Sequence, residues 1–549
     1  MSDKKYVSYE EFGAVGDGVT DDFDAIEAAH LYANEHNLVV KPNKEATYYV
    51  GAKLTREIPI ECDVDFNDAH FVIDDNVPNA YQYKNVALFA LRRKSSVILE
   101  GEELIKAIGE GVTIRKGDTS FDWLAPILTE DSFVVVTNSE HRDFVRFGSN
   151  ENKGVSRHDI FEVMKDGTLD PETDVAYEFD KITKLEIYPA REKPITVKNG
   201  NFASICCRTV AETDFMGRWH GYMRGFVVER ADVTFENITH RMINEPDLRM
   251  DKDELAKIYG GRDESYPYVG FIVSRRANRL TLKDCILTSR TTYYEDKPAT
   301  VSTGGRVPAP VPLGSYDMYF ITSNRVSLIR LKQECPTGIG DSRYWGIMAS
   351  NNCKNFFLDT CYMNRFDAHQ GFWNTKIVNS TIGHSINITG GGHLYMENVV
   401  KLRGPFFMSI RGDYGGSFEG DIVLKNCRLD GKHAYNSTRE DCQKTYASYT
   451  QGYIICPGAS VPADLELFYN WDFGYELYLP KAITIDGFTH GISGDLYVYS
   501  KVEDMRFVNN CKHHHRVTEK IIFKNMDIIP KTTTPDGAES LLLVPVEIQ

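Results

Sequence analysis

Phe12-Gly-Ala-Val-Gly-Asp-Gly-Val-Thr-Asp-Asp-Phe-Asp-Ala-Ile26 is the stretch on which the reading of this chain turns. Gly13, Gly16 and Gly18 allow left-handed backbone, so the segment enters as a tight loop. Thr20 or Asp21 can then cap a helix whose first turn is acidic, through Asp21, Asp22 and Asp24. Ala25, Ile26, Ala28, Ala29 and Tyr32 give that helix an apolar stripe. Strand-like pieces follow at Leu38-Val-Val40 and Tyr48-Tyr-Val50.

Further along, short β-branched segments recur with Asn or Asp near their ends. They read Asp232–Ile238, Arg279–Cys285, Asn355–Cys361, Thr375–Thr381, His393–Val399, Asp421–Cys427, Ala482–Phe488 and Lys520–Met526. Alternate residues are apolar, as a strand with one buried face requires. The Asn or Asp turns the chain, and its side chain can bond the next repeat. Asp359 to Asn379 is 20 residues and Asn379 to Asn398 is 19, the spacing of stacked solenoid rungs. Asn237 to Asp284 is 47 and Asn426 to Asp486 is 60, which implies extra rungs or long lateral loops. Residues 291–314 and 432–480 read as loop insertions, and 131–200 as a small β insert or irregular early rungs. The expected layout is a cap over 1–50, the repeats over 51–530 and a tail over 531–549.

At 549 residues the chain is long for one domain, but each solenoid repeat extends one continuous core. It contains no run of 18 apolar residues, so no membrane helix is expected. Its start lacks an apolar signal core, which suggests a cytoplasmic protein, or a secreted one whose signal has been removed. Eleven scattered cysteines without a CxxC pair suggest free buried thiols. The net charge of −16 argues against nucleic acid as a partner. Flat solenoid flanks permit a homo-oligomer.

Overlaying the rungs between 315 and 430 places Asp317, Asp367, His369, Arg411 and Asp413 along one groove. Asp367 and His369, two apart on a strand, share a face. Asp367 and Asp413 fall two rungs apart, about 10 Å along the axis before side chains lean. A carboxylate pair about 6.5–9.5 Å apart suits an inverting glycosidase, and one about 5 Å apart a retaining enzyme. Each Asp has the alternative of bonding the backbone of a turn. Arg411 can pair with Asp413, bind a substrate carboxylate or act as a base. Tyr316, Trp345, Trp373 and Trp471 are candidates to stack on sugar rings, with Arg343 and His384 as further binding candidates. Aromatic residues inside such a fold are more often core.

The cap and the rungs together resemble the pectate-lyase-like superfamily. That resemblance implies an all-β, right-handed single-stranded parallel β-helix with an N-terminal cap helix and long loop insertions, acting on polysaccharides. The polygalacturonase branch carries Asn-Thr-Asp and Gly-His-Gly elements; here only Gly383-His-Ser385 is found. No Arg-x-Pro-x-x-Arg element of pectate lyases occurs. Phe366-Asp-Ala-His369 is similar to the Asp-Pro-His-Asp element of alginate epimerases, with Ala368 in place of Pro and Gln370 in place of the last Asp. The first expectation is a glycoside hydrolase without cofactor, with Asp367 and Asp413 as the acid/base pair and His369 and Arg411 tuning them. The second is a polysaccharide lyase or uronate epimerase using His369 or Arg411, with calcium as a cofactor if a lyase. The third is a tailspike-like protein that only binds glycan. The short mixed tail from Ile528 weighs against that third reading.

Overall fold

The computed structural model describes residues 5–75, 77, 80–83, 85–145, 154–205, 223–243, 269–288, 294–295, 311–312, 316–335, 338–340, 346–411, 414, 416–432, 448–457, 476–499, 514–516, 518–532 and 545–549. Its main feature is a sheet of 31 strands that winds along the chain as a parallel β-helix. Strands pair with partners one rung away, and the named pairings within this sheet are parallel.

The cap forms as its composition demands. A helix spans Phe23–His36 and buries Phe23, Ile26, Ala29, His30 and Ala33. Asp22 occupies its N-cap position, but its carboxylate turns back to accept from the amides of Val15 at 2.7 Å and Gly16 at 3.2 Å. The glycine loop is thereby held by the residue expected to stabilise the first helical turn. Strands Val39–Val40 and Thr47–Val50 follow and pair into the first rungs.

One inward column shows what holds the rungs together. Leu280, Val326, Phe356, Thr375, Leu394, Ile422, Ile483 and Ile521 lie directly above one another, and all are buried. Only Thr375 interrupts the apolar stack, so each rung covers the face its neighbour leaves exposed. The turn residues at the end of these strands are left-handed: Asp284, Arg330, Thr360, Asn379, Asn398, Asn426, Gly487 and Asn525. Thr360, not Asp359, holds the turn in its rung. Asp359 instead accepts from Asn379 Nδ2 at 3.0 Å, and Asn398 Nδ2 donates to Asn379 Oδ1 at 2.9 Å. The amide-to-rung bonding inferred from the sequence therefore exists, and it runs along the axis. Asn379→Ala should cost about 1–2 kcal/mol, from the lost amide bonds and a Cβ residue without local compensation at positive φ. Asn379→Gly should cost less; equal losses in urea midpoints would show that backbone conformation is not the cause.

The long intervals hold no extra rung between these repeats. Val233 pairs directly with Leu280, and Ile422 with Ile483. Within 432–480, however, Gln451–Pro457 is a rung strand paired to both neighbours, so that region is not wholly a loop. The four-stranded antiparallel insert comprises Val97–Glu100, Ser132–Asp143, Val155–Val163 and Lys184–Pro189. It starts earlier than 131, and Ile195–Ile205 already belongs to the β-helix. Buried charges pin the insert to the rungs. Lys354 meets Asp159 at 2.7 Å and donates to the carbonyls of Ile160 and Asp174. Glu162 accepts from Arg325 at 2.6 Å, Arg279 at 2.5 Å and Asn324 at 2.9 Å. The cysteines among the described residues form no disulfide, and all but Cys335 are buried. Burial pushes the thiols of Cys285, Cys361 and Cys427 up to about 12.

Candidate functional site

Strand Tyr362–Val378 carries the site. Phe366 and Ala368 point into the core, so Arg365, Asp367 and His369 share the opposite face. The next rungs place Asn387 beside Asp367 and Ser409 beside Asn387. Arg411 leaves the end of that third strand, Phe406–Ile410.

These residues converge on Asp367, which is completely buried. Its Oδ2 accepts from the Tyr316 hydroxyl at 2.6 Å and from Arg365 Nη2 at 2.8 Å. Its Oδ1 accepts from Arg411 Nη1 at 3.0 Å and Asn387 Nδ2 at 3.2 Å. His369 Nε2 lies 3.3 Å from Asp367 Oδ2 and 3.3 Å from the Tyr316 hydroxyl. Burial by itself would raise the Asp367 carboxyl, but Arg365, His369 and Arg411 outweigh it and hold it well below the usual carboxylate range. Asp367 is therefore ionised at neutral pH. Two guanidinium groups meet this one carboxylate at the heart of the cluster. Outward of it, the His369 side chain keeps 23% of its surface exposed. The arrangement offers a hydroxyl and an imidazole, in contact with each other, beside positive charge. That is equipment for moving a proton near an anionic group.

A comparison with protein-family models gives no match, and neither does a comparison with curated proteins. Among solved structures, the chain is similar in fold to the tailspike protein gp49 from Pseudomonas phage LKA1. Identity is 11%, with 95% of this chain and 81% of that one covered and a TM-score of 0.46. It is also similar to a mutant tailspike protein of the E. coli bacteriophage HK620, solved in complex with a pentasaccharide, at 9% identity, 99% and 65% coverage and a TM-score of 0.36. The A-module of the Azotobacter vinelandii mannuronan C-5 epimerase AlgE4 aligns at 10% identity, 99% and 97% coverage and a TM-score of 0.33.

Of the residues singled out in the sequence, Tyr316, Asp367, His369 and Arg411 come together. Asp317 does not join them. It is fully buried and accepts from His240 Nδ1, at 2.8 Å, and from the Thr288 amide, at 2.9 Å. Its carboxyl is raised by burial, which His240 and the Thr288 amide only partly offset. His240 Nε2 lies 2.9 Å from Ser204 Oγ, and its ring stacks on Phe271. Hydroxyl, imidazole and carboxylate stand in the order of a nucleophilic triad, but all three are completely buried. Without access to Ser204 the chain of bonds serves to tie neighbouring rungs. Trp373 is also not a groove residue, because it is buried beneath the insert against Tyr177. His384 is half-buried and lies 2.6 Å from the Ser385 hydroxyl. Asp413, Arg343, Trp345 and Trp471 fall outside the described residues. Among the described residues, no three His, Cys, Asp or Glu side chains group as a metal site. The sequence reading passed over Arg365 and Asn387. Arg365 was discoverable, since it lies two residues before Asp367 and so shares its face.

Proposed function

We propose that this protein acts on an acidic polysaccharide or oligosaccharide and removes the proton next to the carboxylate of a uronic acid unit, as a lyase or epimerase. The observation that supports this reading is the meeting of the Tyr316 hydroxyl and the His369 imidazole at 3.3 Å, beside an Asp367 held ionised by two arginines. The guanidinium groups of Arg365 and Arg411 attract the sugar carboxylate and stabilise the negative charge that develops on it when the C5 proton leaves. His369 takes that proton. The electron pair left behind forms the C4–C5 double bond, the C4–O bond breaks, and Tyr316 gives its proton to the departing oxygen. If the C4–O bond stays intact, return of a proton to the other face of C5 gives the epimer. Asp367 keeps Tyr316, His369 and both arginines in place.

Hydrolysis by Asp367 and Asp413, the first expectation from sequence, needs one carboxyl able to give up a proton at working pH. The pull of three cationic or hydrogen-bonding partners makes Asp367 unsuited to that role. The discriminating experiment incubates the protein with oligouronates and with neutral glycans. Near-ultraviolet absorbance of the unsaturated product and reducing ends are followed together, and C5 deuterium uptake is measured in heavy water. Elimination raises both optical signals, and epimerisation incorporates deuterium alone. Reducing ends without the absorbance would show hydrolysis and overturn the reading.

A further inference from the structure

The antiparallel insert reaches the site through one ring. Phe144 directly follows strand Ser132–Asp143, is buried, and has φ 52°, the left-handed region that side-chain-bearing residues other than Asn and Asp seldom occupy. The residue before it is anchored on two sides. Asp143 accepts from Arg157 Nε at 2.9 Å and Nη2 at 3.1 Å, and His141 Nε2 lies 3.1 Å away. Strained backbone persists where its surroundings over-determine it, and such places cluster at functional sites.

The Phe144 ring occupies a space that the site strand leaves open. A Cβ at Gly371, two residues beyond His369, would come within 2.9 Å of it. The same ring packs edge-on against Tyr414, with centroids 6.5 Å apart at 74°. The Arg411 guanidinium lies over the Tyr414 ring, 5.4 Å from its centroid. Behind Phe144, contacts continue to Tyr177 and then Trp373. A line of aromatic contacts thus runs from the insert to the arginine that touches Asp367.

We propose that the insert is part of the site, with Phe144 a positioning residue that fixes Arg411 through Tyr414 and so sets how firmly an anionic sugar is held. The link to substrate rests on the proposed function; the positioning of Arg411 does not. A guanidinium stacked on a buried ring gains from that ring only while the ring itself is held. Removing Phe144 lets Tyr414 turn away, and Arg411 then samples positions off the Asp367 carboxylate.

Two measurements on the full chain test this. The first is the rate at which phenylglyoxal modifies Arg411, followed by mass spectrometry, with Arg224 as control. Arg224 is buried in its own ion pair with Asp75, at 2.6 Å. Phe144→Ala should speed modification of Arg411 by about five- to tenfold, the loss of one stacking contact. Arg224 should keep its wild-type rate, and adding Tyr414→Ala to Phe144→Ala should give little further change. An unchanged Arg411, or a parallel rise at Arg224, would overturn the positioning role. The second is titration with a uronate oligosaccharide. Phe144→Ala should weaken binding by a similar factor. If wild type binds no uronate, the functional reading fails while the labelling result stands. If both proteins bind equally well, the insert has no part in holding substrate.

Discussion

Replacing Asp367 with asparagine should destabilise the protein by about 3–5 kcal/mol, the cost of removing a carboxylate that two buried guanidinium groups bond. Asn has the same shape and keeps one acceptor oxygen, so the loss reports on charge and not on volume. Arg365 and Arg411 are at least nine-tenths buried at their side chains, and water does not replace the carboxylate for them. The pH dependence follows from the direction of the shift. The folded-state carboxyl is depressed, so its contribution is complete above the unfolded value of about 3.9 and is lost as pH falls through the lower folded value. The gap between wild type and Asp367→Asn should therefore stay open from neutral pH down to about pH 4 and narrow only below it. Chemical denaturation at several pH values measures this. A gap that closes already near pH 6 would mean that Asp367 is not the anion described above. Turnover should be lost as well, since Tyr316, His369 and Arg411 all contact this carboxylate.

Tyr316→Phe should lower kcat by about 10²–10⁴-fold with a far smaller change in KM, because it removes one proton-transfer group and leaves the ring in place. His369→Ala should fall in the same range. The two losses should not add in the double variant, since the groups lie 3.3 Å apart and serve one elimination. Far-ultraviolet circular dichroism and melting temperatures should remain near wild type for Tyr316→Phe, whose hydroxyl is one of several donors to Asp367. Full turnover in Tyr316→Phe would remove Tyr316 from the chemistry and leave His369 to act alone or with a residue not yet assigned.

Much of the architecture is legible in the chain itself. The glycine loop and acidic helix start at 12–26 announce the cap, because few other backbones need that order of residues. The alternating segments that end in Asn or Asp announce the rungs, since stacked strands need one apolar face and a turn that accepts left-handed backbone. Where the turn residue is Thr360, the chemical signal points one position too early, to Asp359, whose role is to accept its neighbour's amide. The face shared by Asp367 and His369 is also readable, because strand alternation is local.

What tertiary structure alone decided was the surroundings of each charge. Asp317 and Asp367 look alike in the sequence, each beside an aromatic residue on a strand. One sits against His240 and the other between Arg365 and Arg411, and those partners are 77, 2 and 44 residues away. A carboxyl's ionisation depends on such neighbours and on burial, and of these partners only Arg365 lies on the carboxyl's own strand. The same holds for the insert. Its alternation marked it as sheet, but only the folded chain brings Phe144 to Tyr414 and Gly371, because that contact is set by how two separately formed sheets dock.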